Sequence, residues 1–158
     1  LNLIYSQIEI SPNYKIENNE ILWQKVIDIK EGKKEYFSKL KLKEYFNKLE
    51  WHETSIAGKT NKKDLKIKSP YWASFPFESF VKIEFKENRC RVTFSNITFD
   101  GPEIQVSSVK HKYDYKLSKE SLKKGKIKNS KKTGKVLKML NNFFEKITTD
   151  KVEKNSDW

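Results

Sequence analysis

At 158 residues, with 36% hydrophobic and 13% aromatic content, the chain is long enough to bury one sizeable core in which aromatic rings supply much of the apolar area. Its net charge is +12, but of 33 basic residues only Arg89 and Arg91 are arginines. Lysine is then the default surface residue of a chain also rich in Asn and Ile, as in AT-rich coding genomes, which weakens net charge as an argument for nucleic acid; no run approaches the ~18 apolar residues of a membrane span.

Taken from the N-terminus, Leu1 to Gln7 is short and apolar and precedes polar sequence. Residues 1–6 read as the remnant of a secretory signal, or Leu3 to Ile10 as an edge strand. Ser11 to Glu20, with a proline and several asparagines, reads as a lead-in loop, so residues 1–19 precede the domain. Ile21 to Ile29 is a strand ended by Lys30-Glu31-Gly32. A helix is expected from about Lys33 to Glu50, because Phe37, Leu40, Tyr45, Phe46 and Leu49 follow helical spacing. Trp51 to Ala57 and Lys63 to Lys68 are weaker strand candidates on either side of a polar stretch.

Ser69 to Phe80 gathers Tyr71, Trp72, Phe75, Phe77 and Phe80 around two prolines, which exclude a long regular helix. This connection is either folded onto the core or exposed as an aromatic platform. Phe80 to Phe99 then reads as a hairpin. Val81, Ile83 and Phe85 alternate with Lys82, Glu84 and Lys86, and Cys90, Val92 and Phe94 alternate with Arg89, Arg91 and Thr93. After Phe94 the apolar parity shifts to Ile97 and Phe99, which predicts a one-residue bulge near Ser95 and Asn96.

Asp100-Gly101-Pro102 is expected to break the chain before a further strand from Ile104 to Tyr115. The whole positive charge falls after residue 57, since residues 1–57 carry nine groups of each sign. Lys110 to Lys135 holds eleven lysines against Asp114 and Glu120 and reads as a basic insert, either a solvated loop or a contact for an anionic partner. A last helix, from about Lys132 to Thr148, carries Val136, Leu140, Phe143, Phe144 and Ile147 as one amphipathic stripe that must lie on the inward face of the sheet. Residues 149–158 are a polar tail, leaving 20–148 as a single α+β domain.

Catalytic and metal chemistry finds no footing. Gly58-Lys59-Thr60 ends like a phosphate-binding loop, but Glu53 stands where that loop needs its first glycine. His52 and His111 lack the spacing of a metal pair. Cys90, the one cysteine, falls on the apolar side of its strand, where a small inert thiol is the usual occupant. No catalytic residue, metal ligand or cofactor site is assigned, and the chain is not expected to be an enzyme.

The fold expected is α+β and two-layered: a curved, mainly antiparallel sheet with two helices on one face, in the order β-α-β-β-β-β-α. On the strand ILWQKVIDI with its polar turn, the helix start at Lys34, Glu35 and Tyr36, the hairpin KENRCRVTFSNITF and the closing apolar helix, the chain resembles the bacterial domain of unknown function described as having a TATA-box-binding-protein-like (TBP-like) fold. That resemblance covers about Glu20 to Thr148 and implies an exported Bacteroidetes-type domain without established active residues. It does not imply DNA binding, since function sits on sites and not on folds.

Two readings of function follow. The first is an extracytoplasmic, periplasmic or secreted, binding module for a protein, glycan or small molecule, with Trp72, Phe75 and Phe77 as apolar contacts and Arg89 and Arg91 as anion contacts. The same arginines also suit cross-strand pairing with Glu84 and Glu87. The second is a cytoplasmic nucleic-acid-binding protein in which Lys110, Lys112, Lys116, Lys123, Lys124, Lys126 and Lys128 follow a phosphate backbone.

Overall fold

Along Arg89–Val106 the apolar residues change parity twice, and a bulge sits at each change. Cys90, Val92 and Phe94 are buried, then Ile97 and Phe99, and then Ile104 and Val106 continue on the same side. The first change is the predicted one: Ser79 faces both Asn96 and Ile97, because Phe80 pairs with Ser95 and Glu78 with Thr98. Asn96 takes the left-handed φ of 48° that such an insertion uses. The second falls at Gly101-Pro102, between the pairs Asp100 to Asp114 and Glu103 to Lys112. The expected break at Asp100-Gly101-Pro102 is therefore a bulge inside a continuous strand.

The computed structural model describes residues 9–149. The signal-remnant reading at residues 1–6, Leu3 to Ile8 of the alternative edge strand, and the tail from Asp150 to Trp158 lie outside them. In chain order the elements are β1 (Tyr14–Glu17), β2 (Glu20–Asp28), α1 (Lys33–Leu42), β3 (Phe46–His52), β4 (Ser55–Thr60), a 3-10 turn (Tyr71–Ala73), β5 (Phe77–Lys86), β6 (Arg89–Val106), β7 (Val109–Lys116), α2 (Leu117–Ser121), β8 (Leu122–Lys123), β9 (Lys126–Ile127) and α3 (Lys131–Thr148). Among the described residues the main sheet has seven strands in the order β1-β2-β6-β5-β4-β3, all antiparallel, with β7 joining β6 beyond the reach of β2.

Both longer helices cover the same side of this sheet. On α3, Phe144 stacks on Phe94 at 4.1 Å between ring centroids, and Trp23 tilts against both at 5.5 Å. Phe77 meets Phe143 and Phe144 edge-on. On α1, Tyr36 lies edge-on to Phe85, and its hydroxyl donates to the Thr148 carbonyl at 2.8 Å, tying the two helices together. Burial of each such ring contributes about 1.5–3 kcal/mol before packing terms. The architecture is the expected two-layer α+β fold. Ser130 caps α3 by accepting from the Thr133 N–H.

Several boundaries differ from expectation. The helix predicted to reach Glu50 stops at Leu42, because Glu44 takes a left-handed φ of 56° and Phe46–His52 pairs with β4. There the alternation of buried Leu49 and half-buried Trp51 prevails over the helical spacing shared by Tyr45, Phe46 and Leu49. Ser11 to Glu20 is not only a loop: Asn18 and Asn19, at φ 51° and 58°, close the two-residue turn of a β1–β2 hairpin. Lys63 to Lys68 forms no strand beyond a single bridge from Lys63 to Phe77, while Gly58-Lys59-Thr60 belongs to β4.

The basic insert is not a loop either. Lys110 to Lys135 is taken up by β7, α2, the small β8–β9 hairpin and the first turn of α3. The expected strand from Ile104 to Tyr115 is the end of β6 and all but the last residue of β7, joined at Ser107-Ser108.

Candidate functional site

Alternation decides what the uncovered side of the sheet carries. Across β2, β6 and β5 the outward residues line up as Val26, Arg91 and Glu84, and beside them as Asp28, Arg89 and Lys86. Val26 is 55% exposed, far more than a valine beneath a helix would be. The Arg91 guanidinium donates to Glu84 Oε1 from Nη2 at 3.0 Å and from Nε at 3.3 Å. Among the described residues no carboxylate forms an ion pair with Arg89. The two arginines and Val26 line an open depression of about 410 Å³.

Further along the same face Phe80 stands out of the sheet, 43% exposed, with Lys59 Nζ at 5.0 Å from its ring centre. Two smaller depressions flank Phe80 and the Asn96 bulge, and both reach Lys116. The Glu20 carboxylate is engaged there, accepting from the Asn96 N–H at 2.7 Å.

The aromatic connection lies elsewhere. Trp72 packs edge-on against Phe99 at 5.4 Å, and Phe75 stacks on Tyr115 at 6.0 Å. Phe77 is fully buried beneath α3, so it is not a surface contact as read from sequence. These rings gather around the inward-facing Phe99, eight residues from Arg91 along β6, or roughly 26 Å of strand. Arg89 and Arg91 therefore do not share a site with Trp72 and Phe75.

The seven lysines also divide. Lys112 holds Asp100 at 2.5 Å and Asp114 at 3.5 Å, and Lys110 lies 4.0 Å from Glu103. Lys123 and Lys126 face each other across β8–β9. Lys128 is half-buried, its backbone N–H donating to Ser121 O at 2.8 Å. Lys116 and Lys124 do converge, together with Lys119, on a depression beside Asn19, where the β8–β9 turn approaches the β1–β2 turn. Sequence reasoning had not placed Lys119 or Asn19 in a site. The turn pairs Asn18-Asn19 and Lys124-Gly125, all left-handed, are the signal that could have located the two hairpin ends.

Burial pushes the Cys90 thiol up to about 11, against a weaker opposing hydrogen bond from Tyr36. It is no nucleophile at neutral pH. Among the described residues no three His, Cys, Asp or Glu side chains gather closely enough to hold a metal. No described helix is long and apolar enough to cross a membrane.

A curved, mainly antiparallel sheet with helices on one side and an open face on the other is a two-layer α+β architecture. No family model matches the chain, and no curated protein matches it. Among solved structures it is similar to a TBP-like protein from Parabacteroides distasonis, with 14% identity over 84% of this chain and 93% of that one, at a TM-score of 0.55. It is likewise similar to a DUF4468 family protein from Bacteroides ovatus, with 15% identity over 87% of each chain and a TM-score of 0.55. Such identities establish the fold alone. What the chain is similar to is thus a Bacteroidetes-type domain of unknown function with a TBP-like fold, as its sequence resemblance implied.

Proposed function

We propose that the chain is a non-catalytic binding module that works outside the cytoplasm and presents its uncovered sheet face to an anionic ligand. One observation carries this reading: Arg89 stands beside the Glu84-braced Arg91 and the exposed Val26 in an open depression, without an ion-paired carboxylate among the described residues. The Glu84-held guanidinium, a second one without an ion pair among the described residues, and an apolar floor beside them suit a planar anionic group carried on a larger body, such as the carboxylate of an acidic glycan. The test is binding to immobilised acidic and neutral glycans by the wild type and by an Arg89→Ser, Arg91→Ser variant. The acidic set is expected to retain the wild type and release the variant; equal binding by both proteins would remove this face from the reading. Export is tested separately, by fractionating the cells that make the protein.

A second reading, nucleic-acid binding in the cytoplasm, is favoured by Lys116, Lys119 and Lys124 lining one depression, without an ion-paired carboxylate among the described residues. Retention on single- and double-stranded DNA across a salt series, with Lys116, Lys119 and Lys124 changed to Ser in a companion variant, decides it. Tight binding that falls steeply with salt and vanishes in the variant would favour this second reading.

A further inference from the structure

Beyond Asp100 the strands β6 and β7 leave the sheet as a two-stranded ribbon. The partner β5 ends at the pair Phe77 to Phe99, so among the described residues Gly101–Val106 is bonded only to β7, and β7 only to β6. The Gly101-Pro102 bulge keeps Ile104 and Val106 on the side of Phe99, where Val109, His111 and Tyr113 of β7 join them. That side is bare: Ile104 is 46% exposed, Val106 58%, Val109 53% and Tyr113 44%. The other side carries Glu103, Gln105, Lys110 and Lys112, with the lysines paired to Glu103, Asp100 and Asp114. At the base, Tyr71, Phe75 and Tyr115 pack ring on ring, so the apolar surface runs unbroken from the core onto the ribbon. A two-stranded ribbon is marginal in water, whereas a packed apolar side stabilises it.

Charge selects what covers it. Residues 100–114 hold three carboxylates against two lysines, a net charge of −1 in a chain of +12. Contact through this segment lets two copies meet with little repulsion, which the lysine-covered body does not. An anionic membrane would call for free cations at the tip, and Lys110 and Lys112 are already paired. We infer that two copies of this chain associate about a two-fold axis through the Ile104, Val106, Val109 and Tyr113 side of the ribbon. In that contact the tip of one ribbon, at Val106 and Val109, lies over the Ile104 and Tyr113 end of its partner, giving a four-stranded apolar sandwich.

Sedimentation velocity of the full chain across the micromolar range tests this, with a Val106→Lys, Val109→Lys variant and a Gln105→Lys control on the opposite side. The wild type and the control are expected to shift from monomer to dimer with rising concentration, and the tip variant to stay monomeric with an unchanged circular dichroism spectrum. A wild type that stays monomeric, or a dimer that survives the tip variant, overturns the inference. So does a monomer that floats with phosphatidylcholine and phosphatidylglycerol vesicles through Val106 and Val109, which assigns the ribbon to a membrane instead.

Discussion

The indole N–H of Trp23 donates to Asn141 Oδ1 at 2.8 Å, joining β2 to the middle of α3. The same oxygen accepts from Ser11 Oγ and Asn13 Nδ2, and Tyr14 donates to the Leu137 carbonyl one turn earlier. The N-terminal hairpin is thereby fastened to α3 by side chains that the lead-in loop reading had left unused. Removing the acceptor strands a fully buried indole donor. Asn141→Leu is expected to cost about 1–3 kcal/mol in urea unfolding, and Asn141→Asp less. An unchanged midpoint for Asn141→Leu would contradict the role given to this contact.

The stack of Phe144 on Phe94 lies at the centre of the core. Phe144→Ala should cost about 3–5 kcal/mol, by lost transfer energy and the cavity left behind. Val92→Asp places a charge at a fully buried position and should cost more than about 4 kcal/mol. A folded, soluble Val92→Asp protein would refute the two-layer packing.

Asp100 is held below the usual carboxylate range by the ammonium groups of Lys112 and Lys62, hydrogen-bonded to it. A carboxyl depressed in the folded state stabilises above its unfolded value, near about 3.9, and that contribution disappears as pH falls through the folded value. Asp100→Asn should therefore be less stable than the wild type at neutral pH. The two stability curves should converge in acid, which urea titrations at both pH values would show.

The Cys90 thiol, raised to about 11 by burial, should be silent to a disulfide reagent at mildly alkaline pH in the native protein and react at once in denaturant. Labelling of the native chain as fast as of a free thiol would show that this strand opens.

Gly101 is required by close approach. A Cβ there would strike the Tyr113 carbonyl oxygen and come within 2.7 Å of the Tyr115 ring. Gly101→Ala should destabilise the protein by about 1–3 kcal/mol and speed amide exchange in Ile104–Tyr113 more than in the body of the sheet.

Where each element's signal was local, the sequence was legible. The central hairpin, its bulge at Asn96 and the stripe of α3 follow from apolar spacing, and the Arg89–Arg91 face follows from the same alternation. The strand β3 was hidden because Phe46 and Leu49 satisfy helical spacing as well as they satisfy a strand. Phe77 was misjudged because its burial depends on Phe143 and Phe144, more than sixty residues away. The meeting of Lys116, Lys119 and Lys124 beside Asn19 rests on two hairpin ends that only the folded chain brings together.

The two insertions in β6 act as parity switches. Side chains along a strand alternate strictly, so one added residue turns everything beyond it over unless a bulge absorbs it. Were the Gly101-Pro102 bulge drawn out into regular strand with Pro102 still present, Ile104 and Val106 would turn to the charged side and Glu103 and Gln105 would take their place, whereas deleting Pro102 removes residue and bulge together and leaves the two sides as they are. Which flank of the ribbon is apolar thus depends on one surplus residue being absorbed where it occurs, and a chain without that residue would present the same flank with no kink at its root.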